Sequence, residues 1–474
     1  MGNRMSQPRT LFQKIWDDHE IRDFGNGYSL LHVDRDIMHD LLGSLVFEPL
    51  DKRGMKMPNP ELHFATMDHG IETEFGRTDE TKIAGGKAGV QGLRRKCQEY
   101  GITLFDLGDD RQGIVHVFAP EQGIALPGST LICGDSHTST IGGLGVLAWG
   151  VGLTEIEHVL ATQTIVAQKP KTMRITFEGR TAPGVTAKDM ILYTIGQLGA
   201  NAGNGHVVEY AGEAVRALPI EARLTMANMS IEMAARYGMI AADDTTFDYL
   251  KGRPFAPKGA MWDKAVEYWR TLPTDDGAVF DREETIDATK IGPMITWGTS
   301  PQDVIGVDGH VPDPAKAADA DKKAYLERAL AYTGLTPGAA IEDTPIDVAF
   351  IGSCTNARIS DLRAAATILK GRKVADGIQA WCVPGSGLVK KEAEAEGLDT
   401  IFKEAGFEWR EPGCSMCVSL GGDKFKQGGR AISSTNRNFE NRQGVGVRTH
   451  LASPEMVAAA AVTGKITDTR KLAS

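Results

Sequence analysis

Short β-branched runs that break at glycine and resume as amphipathic stretches recur along this chain, as in "STLICGDSHTSTIGGLG" and "IDVAFIGSCTNARISDLRAAATILKG". An apolar run without alternation that ends in a turn reads as a strand buried on both faces, and a following period of 3.6 reads as a helix packed against it. The second segment predicts a strand over 346–351, a turn over 352–356 and a helix over 359–369. The next unit repeats the order: "IQAWCVP" as strand, "GSG" as turn, "LVKKEAEAEGLDTIFKEAG" as helix. Such alternation predicts an α/β fold with mostly parallel sheets, whose ligands bind at the carboxyl ends of strands. Both Cys354 and the turn at 385–387 fall at such ends.

Two to four domains are expected from 474 residues with 42% hydrophobic content. A new strand starts near Lys169, and residues 312–345, rich in Ala, Asp, Lys and Pro, read as a linker. The expected division is therefore 1–168, 169–311, the linker 312–345, and 346–474. The longest uncharged apolar stretch, 142–153, is too short for a membrane span, and the first ten residues lack a secretory core. A cytoplasmic protein with no membrane partner is expected. The formal net charge of -10, with no block of Lys or Arg, predicts no nucleic-acid partner. An anionic substrate must then be held by local arginines.

Six cysteines are few for this length and argue against a disulfide scaffold. Cys97, Cys133 and Cys382 stand in apolar settings and read as small buried hydrophobes. Cys414 and Cys417 form Cys-x-x-Cys in "EPGCSMCVS", with Cys354 in another strand-end turn. Taken alone, the spacing admits an iron-sulfur cluster, zinc, a redox pair or burial. Zinc is disfavoured because neither a second Cys-x-x-Cys nor a nearby His pair completes a tetrahedral set. Three thiolates would leave one iron of a cluster open, as Lewis-acid catalysis requires.

"IGSCTN" (351–356) together with "PGCSMC" (412–417) resembles the aconitase family of iron-sulfur hydro-lyases, and the resemblance extends through "TMDH" (66–69), "QGIVHV" (112–117), "CGDSHT" (133–138), "NMSIEM" (228–233) and "NRNFENRQG" (436–444). It implies three-layer α/β/α domains of the aconitase type without the family's swivelling fourth domain. It implies one [4Fe-4S] cluster per chain, held by Cys354, Cys414 and Cys417, with Asn228, Asn356 and Asn436 in contact with it. Asp68, His69, His116, Asp135, His137 and Glu232 match family positions that handle the leaving hydroxyl and its proton. An imidazole held by a carboxylate suits that task near neutral pH. Ser136, Arg437 and Arg442 match substrate-binding positions, where guanidinium forks suit carboxylates.

The activity implied is loss and readdition of water on a 2-alkylmalate, foremost 2-isopropylmalate in branched-chain amino acid synthesis, with 2-methylmalate or dimethylmalate as alternatives. The partner implied is a small subunit that carries the swivelling domain and a catalytic serine. RNA binding by a cluster-free form is a more remote alternative, which the acidic charge disfavours. At two positions the chain departs from the alkylmalate branch of the family: Leu45 stands for a glutamine and Ile141 for a histidine. Both changes are expected to make the pocket less polar.

Overall fold

The computed structural model describes residues 7–417, 419 and 422–472. Three parallel sheets dominate it. The first has the order Thr103–Phe105, His63–Thr66, Arg35–His39, Thr130–Cys133, Leu147–Gly150. The third has the order Glu408–Trp409, Gln379–Cys382, Val348–Ile351, Arg430–Ser433, Arg448–Leu451. Thr130–Cys133 and Val348–Ile351 are buried at every residue, as their unbroken apolar runs require. In both sheets the earliest strand is central, and the chain builds outward on one side before crossing to the other. Each sheet therefore has a topological switch point, beside Arg35–His39 and beside Val348–Ile351, where adjacent loops diverge and leave a crevice. The second sheet, Tyr237–Met239, His206–Ala211, Lys171–Glu178, Arg282–Asp287, grows in the same way with one strand fewer.

An antiparallel sheet of Glu20–Asp23, Tyr28–His32 and Thr164–Gln168 flanks the first domain. The chain passes to the second sheet between Gln168 and Lys171, but the units interlock. Phe247, Leu250, Trp269 and Leu272 pack into the first domain's core, while Ile295 and Trp297 join the third domain's core.

Residues 312–345 differ from the expected linker. They contain the helix Ala320–Thr333, capped by Asp319, whose Leu326, Ala329 and Leu330 are buried in the third core. That spacing is helical and outweighs a linker-like composition. The helix Ile359–Leu369 forms at the residues expected from the periodicity, whereas the stretch after the 385–387 turn splits into Gly387–Ala395 and Leu398–Ala405 at Gly397, whose φ is +75°. None of the described helices is long and apolar enough to cross a membrane.

His450 pins the third sheet to the hairpin of Met294–Thr296 and Val304–Gly306. Its Nδ1 lies 2.7 Å from the Thr296 carbonyl oxygen and its Nε2 lies 2.8 Å from the Arg430 guanidinium. Nδ1–H therefore donates to the carbonyl and Nε2 accepts from arginine, which is possible only for the neutral ring. Burial, reinforced by Arg430, pushes its pKa down to about 3. The unfolded chain then binds one more proton than the native state across the acid range. The stabilisation is complete above the ordinary histidine value and is lost as pH falls toward about 3. His450→Gln is expected to flatten the acid slope of urea-unfolding free energy by up to about 1.4 kcal/mol per pH unit.

Candidate active site

The carboxyl ends of the first and third sheets face each other, and the loops that leave them supply most of the predicted site. His39 and Asp40 end the strand Arg35–His39, Asp68 and His69 follow His63–Thr66, and Asp135 follows Thr130–Cys133. From the third sheet, Cys354 follows Val348–Ile351 and Asn436 follows Arg430–Ser433. Residues 411–414 then cross to residues 68–73: Glu411 N–H donates to the Thr73 carbonyl (2.8 Å) and Cys414 N–H to the Asp68 carbonyl (2.9 Å).

Cys354, Cys414 and Cys417 are 4%, 6% and 6% exposed and line one polar cradle. The Asn228 amide donates to Cys354 Sγ at 3.2 Å, and Asn436 spans two thiols, 3.5 Å from Cys354 Sγ and 3.6 Å from Cys417 Sγ. Cys414 Sγ lies 3.7 Å from His69 Nε2 and 3.8 Å from Asp68 Oδ2. Ser353 and Ser415, beside these cysteines, hold φ of +78° and +46°, a left-handed backbone that costs a residue with a Cβ and that turns both loops inward. Burial pushes the Cys354 thiol up to about 12 and Cys414 well above its ordinary value, so only a strong cationic ligand would draw thiolates here. Cys97 and Cys133 sit in the first core, and Cys382 sits in the core that Cys354 and Cys414 also border, but neither Asn228 nor Asn436 donates to any of the three.

The cradle suits a polynuclear iron-sulfur group better than a single ion. Among the described residues, a set of His, Cys, Asp or Glu ligand atoms all within 4.8 Å of one another occurs only at His39, Asp40, Asp68 and His69, so the three thiols are set wider than one tetrahedral ion would hold them. In that closer set the carboxylates are already engaged. Asp40 accepts the backbone N–H groups of Asp68 (3.0 Å), His69 (3.0 Å) and Gly70 (2.6 Å). Asp68 accepts from His69 Nδ1 (2.6 Å) and from Val115 N–H (3.2 Å).

His69 is the centre of the charge pattern. Its Nδ1 faces Asp68 and its Nε2 lies 3.1 Å from Asp135. Burial opposes its charge, but Asp68, Cys414 and Asp135 prevail and raise it well above the ordinary histidine value. Asp135 is held well below the carboxylate range: burial raises it, and hydrogen bonds from His137 and His69 outweigh that. His116 is different, because burial pushes it down to about 4 and its Nε2 meets the Thr138 hydroxyl at 3.3 Å. His137 Nε2 lies 2.8 Å from Glu232 Oε1, which also accepts from Arg437 Nε at 2.8 Å. The site thus combines a charged imidazole between two carboxylates with a neutral imidazole and a His137–Glu232–Arg437 chain. Ser136 Oγ lies beside His137, and the buried Nε of Arg442 has no partner among the described residues, which leaves a donor free for an anionic ligand.

Asn228 and Glu232 lie four apart in the chain but on two different elements. The helix Ile220–Asn228 ends at Asn228 and tightens into a 3₁₀ turn, Met229–Met233. Both side chains still reach the site. The Asn356 amide donates to Asp361 (2.9 Å) and Thr225 (3.3 Å), and its Oδ1 has no partner among the described residues. Thr355 is bonded to both Asn228 and Asn436. The 385–387 turn holds no part of the site. Its Ser386 caps the helix Gly387–Ala395 and donates to Glu121. Ile141 lies fully buried in the first core rather than beside a pocket. Leu45, 52% exposed, lines a cavity of about 310 Å³ with Asp40, Gly70 and Gly85.

Four residues that tie the loops together escaped the sequence reading. Arg358, 3% exposed, donates to the carbonyls of Cys354, Thr355 and His116, and so joins the two domains beneath the thiols. Arg410 and Asp423 brace the Cys414 turn through Thr73 and Ser415. Asp40 fixes the His69 turn, and its only sequence signal is its place at a strand end. Asn at this position can accept at one atom only and leaves a buried N–H unpaired. Asp40→Asn is therefore expected to cost about 2 kcal/mol by urea unfolding and to lower kcat, because the turn that aims His69 loosens.

The chain belongs to the aconitase family, whose model, described as aconitate hydratase, matches residues 13–464. Within the family it is similar to 3-isopropylmalate dehydratase large subunit 1 of Bradyrhizobium diazoefficiens, 56% identical over 464 residues, which span 98% of this chain and 97% of the relative.

Proposed function

We propose that this chain is the large subunit of a hydro-lyase that interconverts 2-isopropylmalate and 3-isopropylmalate through isopropylmaleate in leucine biosynthesis. The observation that carries this reading is the meeting of three buried thiols with the Asp68–His69–Asp135 relay between two facing sheets. Cys354, Cys414 and Cys417 would hold one [4Fe-4S] cluster, whose open iron supplies Lewis acidity toward a substrate hydroxyl and carboxylate. A relative named as a large subunit supports a small-subunit partner, which would bring the serine base of the swivelling domain. The chain would act in the cytoplasm.

The chain's own residues supply binding and proton transfer. The unpartnered Nε of Arg442 and the guanidinium of Arg437 suit substrate carboxylates, and the Ser136 hydroxyl stands beside His137. His69, kept as imidazolium by Asp68 and Asp135, donates its proton to the departing hydroxyl. His137, oriented by Glu232, and the neutral His116 handle the water that results.

The test is anaerobic turnover of 3-isopropylmalate by the chain reconstituted with iron and sulfide and joined to its small subunit, followed by the ultraviolet absorbance of the alkylmaleate. Turnover supports the reading, and an intact cluster without turnover of any alkylmalate overturns it. Leu45 favours a second outcome, because its exposed apolar side chain lines the cavity next to the His69 turn. Leu45→Gln, which restores the glutamine of the alkylmalate branch, is expected to raise kcat/KM for 3-isopropylmalate about 10-fold relative to 2-methylmalate, the scale of one pocket contact. Faster wild-type turnover of 2-methylmalate would assign the chain to the shorter substrate.

A further inference from the structure

Beneath the turn that carries Asn436 lies a lysine that the proposed chemistry does not use. Lys188 begins the helix Ala187–Leu198 and is 0% exposed. Its Nζ donates to the carbonyl oxygens of Ser434, at 2.9 Å, and of Thr435. These are neutral acceptors, and no carboxylate among the described residues pairs with it. A buried ammonium without a counter-ion is strongly unfavourable, and burial pushes this one down to about 7.

Asp361 and Asp189 favour the charged lysine, and Cys354 and Cys417 would do so once deprotonated as thiolate ligands. Neither carboxylate bonds to Lys188, and each takes its hydrogen bonds from other donors. Asp361 accepts from the Asn356 amide (2.9 Å) and the Arg358 N–H (3.0 Å) and faces the Arg358 charge. Asp189 accepts from the N–H groups of Met294 and Thr186, both at 2.7 Å. Thr435, which Lys188 holds, directly precedes the Asn436 that spans Cys354 and Cys417, so one turn ties the lysine to the thiol centre.

We infer that Lys188 is the buried counter-charge of the centre formed by Cys354, Cys414 and Cys417, a positioning residue that stabilises the anionic, thiolate-ligated group from below. The inference rests on the iron-sulfur reading and extends it to a residue outside the ligand set. It gives the lysine opposite effects in the two states of the protein. Without the cofactor its charge is a burden on the fold, and with the cofactor it is balanced.

The experiment compares wild type, Lys188→Met and Lys188→Gln, each as the full chain, before and after anaerobic reconstitution with iron and sulfide. Gln retains a donor for the two carbonyls without the charge, and it serves if the Met variant does not fold. The expected result is a neutral variant whose cofactor-free form melts no lower than wild type. Its reconstituted form should bleach several-fold faster in air and show a more negative midpoint potential. A cofactor-free form that melts lower would make Lys188 a tie for the 434–435 turn or the partner of Asp361, and would overturn the inference. Unchanged bleaching and potential would overturn it equally. Failure of the wild-type chain itself to take up iron and sulfide would instead refute the iron-sulfur reading on which it rests.

Discussion

Cys354→Ala is expected to abolish the visible iron-sulfide absorption of the reconstituted chain and, with it, all turnover, while the cofactor-free protein still folds. The three thiols come from two loops 60 residues apart, and two of them are bridged by one amide, Asn436, so the loss of any one opens the cradle. The same change should be mild for the fold. Cys354 is one small side chain, and the Arg358 guanidinium holds its loop through carbonyls that alanine retains, so the cofactor-free form should lose no more than about 3 kcal/mol. Cys382→Ala is the control: it is buried in the same apolar cluster but accepts no hydrogen bond from Asn228 or Asn436, and should cost stability without touching the absorption. Urea unfolding and iron content of the two variants, measured side by side, decide the point. Loss of iron from both, or from neither, would remove Cys354 from the ligand set.

Asp68→Asn is expected to lower kcat by about 10²–10⁴ with little change in stability, the range for a misplaced general acid. Asp68 is the nearer of the two carboxylates that keep His69 charged, at 2.6 Å against 3.1 Å for Asp135. The backbone carbonyl of Asp68 still receives Cys414 N–H in the variant, so the cofactor loop stays anchored and the iron content should be unchanged. The pair Asp36–His63 is a built-in comparison. It is another buried carboxylate and imidazole on neighbouring strands of the same sheet, 3.3 Å apart, but on the strands themselves rather than at their carboxyl ends. Asp36→Asn should therefore change stability and leave kcat near wild type. Steady-state rates at matched iron content separate the two cases.

Lys188, Arg358 and Asp40 show how far a sequence reading reaches. Each acts on the site through backbone atoms of loops distant in the chain: Lys188 through Ser434 and Thr435, Arg358 through Cys354 and His116, Asp40 through residues 68–70. A backbone acceptor has no residue type, so no motif records the contact. Asn356, expected to contact the cluster, sends its amide to Asp361 because the chain has turned into the helix Ile359–Leu369. The helix Ala320–Thr333 was concealed by a composition rich in Ala, Asp and Lys, although Leu326, Ala329 and Leu330 carry the period of a buried face. Ile141 looked like a pocket residue because its neighbours belong to the "CGDSHT" turn, yet the following glycine packs against Gly238 and draws it into the core.

Local and covalent information was enough to determine the parallel α/β character of the chain, the strand-end location of its chemistry and the family to which it belongs. Apolar runs and glycine breaks fix strand, turn and helix within about 20 residues, and the Asp-His and Cys motifs keep their spacing within single loops. The convergence of those loops was decided only in three dimensions. Two sheets with matching strand orders place their switch points face to face, and buried charges bonded to carbonyls lock the loops together. The physical reason is that a site between domains depends on relative orientation, and orientation is set by side-chain packing and by hydrogen bonds to backbone groups that every residue possesses.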